Sequence, residues 1–433
     1  MTARSCKSIA VFLGPTLCVD QARALLDADY YPPARKGDVY RIMASGVKTI
    51  VLIDGVFHNT PSVWQRELLN ALEDGIQVLG ASSMGALRAA ELHRFGMKGH
   101  GVIFKWYRDG VIDGDDEVAL WHGPEEFGFR PLSEPLVNIR YTLLKAVKDH
   151  CLTREQAREL TEYARQLHYP ERSYSQLLNS PVAQSWPRAQ LARLERYFLK
   201  KSVDLKRDDA IGVLRHCAGT GKRRGGRMAN GLQRSSRVRD TWGWGYARLL
   251  LSGFFGPRGV VTGEQVLNEA YKDSALMRPM RPLLSKRYFL SAWARQNGVT
   301  CPEEFLNSFI RQWAEEHPGF GEDAWLRANG LTPTSYEMLL AERALIQWLT
   351  IQSPAYFGRE KSLILEWAEQ NGISLEPNGR DRRVGRTEAA LEKWIVKRGA
   401  SYFGFSWRFQ AALLRELQLT GRAAELAEKA AAR

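Results

Sequence analysis

The sequence predicts an α/β fold for its N-terminal part, with a mostly parallel sheet and flanking helices, followed by a large, mainly α-helical C-terminal region. Three short apolar runs, typical of buried strands, alternate with helical patterns before residue 95. Such alternation indicates a parallel sheet that is covered by helices on both faces. From about residue 135 onward, apolar residues recur with helical spacing alone, as in "LVNIRYTLLKAVKDH".

The predicted strands are 8–14 ("SIAVFLG"), 49–55 ("TIVLIDG") and 76–81 ("IQVLGA"). Helices are predicted for "CVDQARALL", "DVYRIMASG", 60–75 and 84–95. In the third of these, Thr60 is a suitable cap and Pro61 suits the first turn. Because ligands of parallel sheets bind beyond the carboxyl ends of the strands, Asp54 and the Ser82–Ser83 turn are expected at one edge.

The domain organisation follows the change in pattern and in charge. We expect an α/β core domain over 1–150, a helical segment over 151–217, a basic Gly-rich linker over 218–245 and a helical domain over 246–433. The net charge is +13, and residues 1–150 hold 17 Lys/Arg against 18 Asp/Glu. Residues 151–433 hold 44 Lys/Arg against 30 Asp/Glu, and seven of these cations lie between 222 and 239. An acidic partner could use that surplus.

Several classes of protein and site are disfavoured by the sequence. No run of about 18 apolar residues occurs, so no membrane partner is expected. Five scattered cysteines suggest neither a disulfide framework nor a zinc site and favour a cytoplasmic location. The adjacent carboxylates of 115–117 cannot all converge on one ion, so no metal site is predicted.

Nucleotide and nucleic-acid binding are not expected either. The segment "HCAGTGKRR" (216–224) has histidine and arginine at the two anchor positions of a phosphate-binding P-loop, and we predict no cofactor. The basic stretch 222–239 lacks interleaved aromatic residues for base stacking. RNA binding through this stretch is kept as a third, weaker hypothesis.

The stretch "GASSMGALRAAEL" (80–92) places two serines between a predicted strand and a helix. A sharp turn there can expose a nucleophilic hydroxyl beside free helix N–H groups that stabilise an oxyanion. Ala81-Ser82-Ser83-Met84-Gly85 fits the pattern small-x-Ser-x-Gly around Ser83. The alternative is that either serine only caps the helix.

Several motifs together resemble the TfuA family. They include "PPARKGDVYR", "IDGVF", "VWQRELLNALEDGIQVLGASSMGALRAAELHRFGMKGHGVIF", "WYRDGVIDGDDEVALWHGP" and "LSEPLVNIRYTL". Their order and spacing match over roughly residues 9–145, and "SMGALRAAEL" followed by "DDEVA" is the most specific pair. The helical remainder resembles the family much more loosely.

The resemblance implies a function beside a YcaO enzyme in thioamidation of ribosomal peptides. TfuA-like proteins are associated with hydrolysis of a thiocarboxylate at the C-terminus of a ThiS-like sulfur carrier, which frees sulfide for the YcaO partner. A Ser-Lys pair is held responsible in the family, and the serine carries over to Ser83. The implied partners are therefore a YcaO enzyme, the carrier and a precursor peptide.

The lysine of that pair is less clear. Many relatives have His-Lys-Glu where this sequence has "QRE", and the arginine there, Arg66, is a poor base. We predict Lys36 in "PPARKGD" as the base, with Lys98 as the next choice. The alternative is that Lys36 is only a solvated lysine of a loop.

Four further residues are predicted to bind the anionic carrier tail. Gly85 contributes to a narrow slot of small residues, Ser82 lies beside the nucleophile, and Arg88 adds positive charge near the helix N-terminus. Asp54 could orient the lysine or accept a hydrogen bond from a backbone N–H of the tail. The alternative is that it simply starts a turn. The sequence therefore favours a thiocarboxylate hydrolase, with a non-catalytic adaptor for carrier, YcaO and peptide as the alternative.

Overall fold

The computed structural model describes residues 7–56, 61–220, 248–296, 298–356 and 406–432. The chain divides into an N-terminal unit, Met1–Arg239, and a C-terminal unit, Asp240–Arg433. The predicted boundaries at 150, 217 and 245 stay predictions. No helix of the described residues combines the length and apolar character that crossing a membrane requires.

The N-terminal unit is built on a five-stranded parallel sheet with the strand order β2-β1-β3-β4-β5. The strands are β1 Ile9–Phe12, β2 Asp29–Tyr31, β3 Thr49–Leu52, β4 Gln77–Ala81 and β5 Lys98–His100. The three predicted strands are confirmed. The sequence missed β2 and β5, because each is only three residues long and carries no apolar run.

Helices surround this sheet and continue beyond it. They are α1 Val19–Leu25, α2 Asp38–Met43, α3 Gln65–Glu73, α4 Met84–Leu92, α5 Gly101–Arg108, α6 Leu136–Lys148, α7 Arg154–Gln166, α8 Tyr174–Leu178, α9 Pro181–Gln184, α10 Arg188–Lys201 and α11 Leu205–Thr220.

The last of these helices, α11, packs on the sheet although it lies far along the chain. Ala210, Val213 and Leu214 share one apolar core with Val51 of β3 and Leu79 of β4. A second core joins α6 and α7 to α8 and α10. Residues beyond 200 therefore complete the environment of the strands that precede residue 100.

The start of α3 differs from the prediction. Arg35 forms an antiparallel bridge with Ser62, and the Lys36 N–H donates to the Pro61 carbonyl at 3.0 Å, so 61–62 run extended. The helix begins only at Gln65, four residues later than Pro61. Pro61 is therefore outside the first turn, and Thr60 lies outside the described residues.

The C-terminal unit is mainly helical, as predicted. It has one antiparallel hairpin, Gly253–Gly256 with Gly259–Thr262. Its described helices are Gly263–Lys272, Ser274–Gln296, Glu303–Glu316, Asp323–Ala328, Pro333–Tyr356, Ser406–Leu419 and Arg422–Ala431. The basic stretch 222–239 lies outside the described residues.

Helix α4 lies directly against β3, and glycine makes this approach possible. The Gly85 N–H donates to the Ile53 carbonyl at 3.1 Å. A Cβ at Gly85 would lie 1.8 Å from the Leu52 carbonyl oxygen, and a Cβ at Gly80 would lie 2.1 Å from the Gly85 carbonyl oxygen. These contacts are with backbone, which cannot move aside cheaply.

Gly85→Ala should therefore lower the thermal stability of the protein. Overpacking of this kind costs about 1–3 kcal/mol. The matched control is Gly219→Ala, since a Cβ there on helix α11 meets nothing within 4 Å. That control should be neutral or stabilise by about 0.5–1 kcal/mol. Equal melting temperatures for Gly85→Ala and the parent protein would contradict the close approach.

Candidate active site

The chain turns sharply between β4 and α4. Ser82 has a φ of +68°, and the Ser83 N–H donates to the Ala81 carbonyl at 2.8 Å. A hydrogen bond across three residues with a positive central φ is a strained γ-turn. Strain of this kind costs about 1–3 kcal/mol and occurs at functional sites.

Neither serine hydroxyl is used to cap the helix. Ser83 occupies the N-cap position of α4, but its side chain accepts no hydrogen bond from the first turn. The Ser82 Oγ is buried and has no partner in the described part of the chain. Among the same residues, none accepts from the Met84 N–H, whereas the Gly85 N–H donates to Ile53. The serine hydroxyls and the Met84 N–H thus remain available at this turn.

Asp54 lies at the end of β3, at the carboxyl edge of the sheet, as the sequence predicted. Its Oδ2 accepts from the Gly14 N–H at 2.8 Å and the Thr16 N–H at 3.1 Å, and its Oδ1 accepts from the Thr16 Oγ1 at 2.6 Å. The carboxylate therefore fixes the loop after β1. Its role toward a substrate stays a prediction.

The structure adds a residue that sequence reasoning missed, Lys206 in the first turn of α11. The side chain is 2% exposed, and its Nζ donates to the Val118 carbonyl at 2.8 Å. Burial lowers the pKa of Lys206, while the charges of Asp54, Asp204 and Glu134 partly counteract that effect. A buried amine with a lowered pKa is a candidate general base.

The helix that carries Lys206 packs against this part of the sheet, and the charge of Asp54 acts on the Lys206 amine. Ala210, one turn further along α11, shares a core with Ala81 and Ile53, the residues before Ser82 and Asp54. The Lys206 N–H donates to the Asn138 Oδ1 at 3.1 Å, which fixes the start of the helix. The sequence signal, a lysine in the first turn of a helix, is too common to have singled it out.

Lys36 lies at the same edge of the sheet, in the loop after β2. The Ala34 N–H of this loop donates to the Asp54 carbonyl at 3.0 Å. The Lys36 side chain is exposed, and its Nζ lies 3.7 Å from the centre of the Trp64 ring. Such a cation–π contact holds the side chain over the ring. Its assignment as the base stays a prediction.

Lys98 and Arg88 have other surroundings. Lys98 is exposed at the beginning of β5 and pairs with Leu79, two residues before the end of β4. The Arg88 guanidinium bonds the Glu91 carboxylate at 2.8 Å and the Val63 carbonyl at 3.2 Å. Arg88 and Glu91 therefore form a pair on the surface of α4, and binding of a substrate anion by Arg88 stays a prediction.

Two of the three carboxylates of 115–117 are engaged by arginines. Asp116 pairs with Arg172, and Glu117 pairs with Arg140 at 2.7 Å. Within the described ranges, no group of three His, Cys, Asp or Glu side chains is arranged to hold a metal ion.

Glu67 of α3 supports the loop that carries Lys36. Its Oε1 accepts from the Gly37 N–H at 2.8 Å and the Trp64 N–H at 3.3 Å. The side chain is fully buried, and its Oε2 has no partner among the described residues. Burial raises the pKa of Glu67 to about 7, against the lowering effect of the backbone N–H groups that face its carboxylate.

Glu67 should make stability fall as pH rises. Both states are protonated below the ordinary pKa of 4.5, and above it the unfolded chain ionises while the folded protein keeps its proton up to about pH 7. This contribution, up to roughly 3 kcal/mol, is lost on raising the pH through that window. Glu67→Gln should therefore lose less stability than the parent protein between pH 5 and pH 8. Melting temperatures of the two proteins at both pH values measure the difference.

Glu73→Gln is the matched control, since Glu73 is an exposed carboxylate of the same helix. Its pH dependence should equal that of the parent. If Glu67→Gln lost as much stability as the parent between the two pH values, Glu67 would not hold a proton in the folded state.

Comparison with known proteins matches one segment of the chain to a family. Residues 54–173 match the model of the family described as TfuA-like protein, and a search of curated proteins gives no match. The matched segment contains Asp54 and the Ser82–Ser83 turn, and it ends before Lys206. The family is consistent with a role in YcaO-associated thioamidation. The resemblance to the TfuA-like family is therefore confirmed, and residues 54–173 are the part of the chain that carries it.

Proposed function

We propose that this protein hydrolyses the C-terminal thiocarboxylate of a ThiS-like sulfur carrier and supplies the sulfide to a YcaO enzyme that thioamidates a precursor peptide. The observation that carries the proposal is the Ser82–Ser83 turn. Its Ser83 hydroxyl caps no N–H, and the same end of the sheet holds a buried lysine with a lowered pKa. A hydroxyl, a neutral amine and a free N–H are the groups that acyl transfer requires.

In the proposed reaction, Ser83 is the nucleophile. Its Oγ attacks the thiocarboxyl carbon, and the amine of Lys206 accepts the hydroxyl proton. Collapse of the tetrahedral intermediate breaks the carbon–sulfur bond while the Lys206 ammonium passes the proton to the sulfur, so hydrosulfide leaves and the amine is neutral again. Water, deprotonated by the same amine, then cleaves the ester and returns a carboxylate on the carrier.

Two features support charge stabilisation in this reaction. The Met84 N–H follows Ser83 directly and has no acceptor among the described residues, so it can donate to an oxyanion. The turn also lies at the N-terminus of α4, where the aligned peptide dipoles favour negative charge. A thiocarboxylate is an anion, so both features favour its binding at this turn.

Lys206 replaces Lys36 as the proposed base because their surroundings differ. Lys206 is buried, and burial favours its neutral form. Lys36 is exposed, and its Nζ lies over the Trp64 ring. In the proposed reaction Lys36 attracts the anionic carrier tail, and Lys206 accepts the proton.

Ser83→Ala should abolish sulfide release from a thiocarboxylated carrier without unfolding the protein. The side chain caps no N–H, so its loss should cost little stability. Ser82→Ala is the matched control at the neighbouring position and should retain most of the activity. Parental release by Ser83→Ala would favour the adaptor hypothesis, and loss in Ser82→Ala alone would move the nucleophile by one residue.

Lys206→Met should slow sulfide release far more than Lys36→Met does. General-base catalysis contributes about 10²–10⁴-fold. Lys36→Met should chiefly raise KM, because it removes a charge from the route of the tail. The parental rate should rise with pH through a pKa below the usual lysine value of 10.5. Near-full kcat in a folded Lys206→Met protein would exclude this residue as the base.

A further inference from the structure

A large groove runs between helices of the N-terminal unit. It is lined by α6, α7, the loop between them and parts of α5 and α10, and we call it the α6–α7 groove. Its volume is about 1480 Å³, above the roughly 300–1,000 Å³ of small-molecule sites. None of the residues proposed for catalysis lines it. The size suits a peptide segment.

The floor of the groove is apolar. Leu143 and Leu152 are buried at its base, with Ala157 beside them. Leu144 is 57% exposed and Val111 is 62% exposed, and both line the same groove. Exposed apolar side chains grouped in a concave surface mark a contact site for another molecule.

Cations surround this floor. Lys148, Arg154 and Arg158 are exposed, and none has an acidic partner in the described part of the chain. The Nη2 of Arg193 donates to the His150 carbonyl at 2.9 Å. Because a carbonyl is neutral, this bond does not compensate the positive charge of Arg193.

Acidic groups do not neutralise these cations. Glu162 is the acid in the lining, and it pairs with Arg165 at 2.9 Å. Arg140 at the other side is already paired with Glu117. The groove therefore offers an apolar floor and a net positive rim, which complement a segment with leucine-like residues on one face and carboxylates on its flanks.

We propose that the α6–α7 groove binds an acidic amphipathic helix of a partner protein. The lining consists of helices and loops and offers no strand edge. The backbone of an extended peptide would find no strand there with which to form hydrogen bonds. A helix forms its backbone hydrogen bonds internally and presents one apolar face. Apart from the His150 ring, Trp106 is the one aromatic residue among the lining residues, so the lining has little to stack nucleic-acid bases.

The test measures binding of a defined probe to the full-length protein. The probe is a fluorescein-labelled synthetic peptide of about 16 residues with leucine at i, i+3, i+4 and i+7 and glutamate at most other positions. Fluorescence anisotropy should show binding that weakens as salt is raised. Combined replacement of Lys148, Arg154 and Arg158 by glutamate should weaken binding at least about tenfold, and so should Leu144→Asp alone.

The matched control replaces Lys145, Arg196 and Lys200 by glutamate, which changes the net charge equally at exposed positions of α6 and α10 outside the groove. It should bind the probe nearly as the parent does, and circular dichroism should show all variants folded. Equal weakening by the control set, or undiminished binding by Leu144→Asp, would overturn the proposal. So would equally tight binding of a scrambled peptide, or tighter binding of single-stranded RNA that the groove variants lose.

Discussion

The arrangement of the candidate site depends on how closely α4 approaches β3. Gly85 donates its N–H to the Ile53 carbonyl, and neither Gly85 nor Gly80 has room for a Cβ. A helix held this near the sheet must begin almost immediately after β4 ends. The chain has only Ser82 and Ser83 in which to reverse direction, and the positive φ of Ser82 is the consequence.

That constraint also explains the chemistry available at the edge of the sheet. Both hydroxyls are held in this turn, and neither side chain caps α4. The adjacent strand β3 ends two residues before Asp54, whose carboxylate fixes the loop after β1. On the other side, α11 buries Lys206 within the electrostatic influence of that carboxylate. The helical segment after residue 200 thus belongs to the core and carries the proposed base.

The sequence predicted the parts of this arrangement that depend on local patterns. Apolar runs identified β1, β3 and β4, and the order of strand and helix placed Asp54 and the serine turn at one edge. Contacts between distant segments were not accessible to that reasoning. The pairing of Arg35 with Ser62 delays the start of α3, and the packing of α11 alone gives Lys206 its lowered pKa. A lysine becomes a candidate base through burial, and a single sequence does not encode burial as a local signal.

The central claim is that Ser83 carries the acyl group of the carrier during turnover. The most direct measurement is to mix thiocarboxylated carrier with the protein, stop the reaction with acid before one turnover is complete, and locate any ester by peptide mass spectrometry. The account predicts the C-terminal residues of the carrier on Ser83, with no adduct in Ser83→Ala and a much slower appearance in Lys206→Met. Rapid sulfide release with no ester at any time, or an ester on a residue other than Ser83, would contradict it.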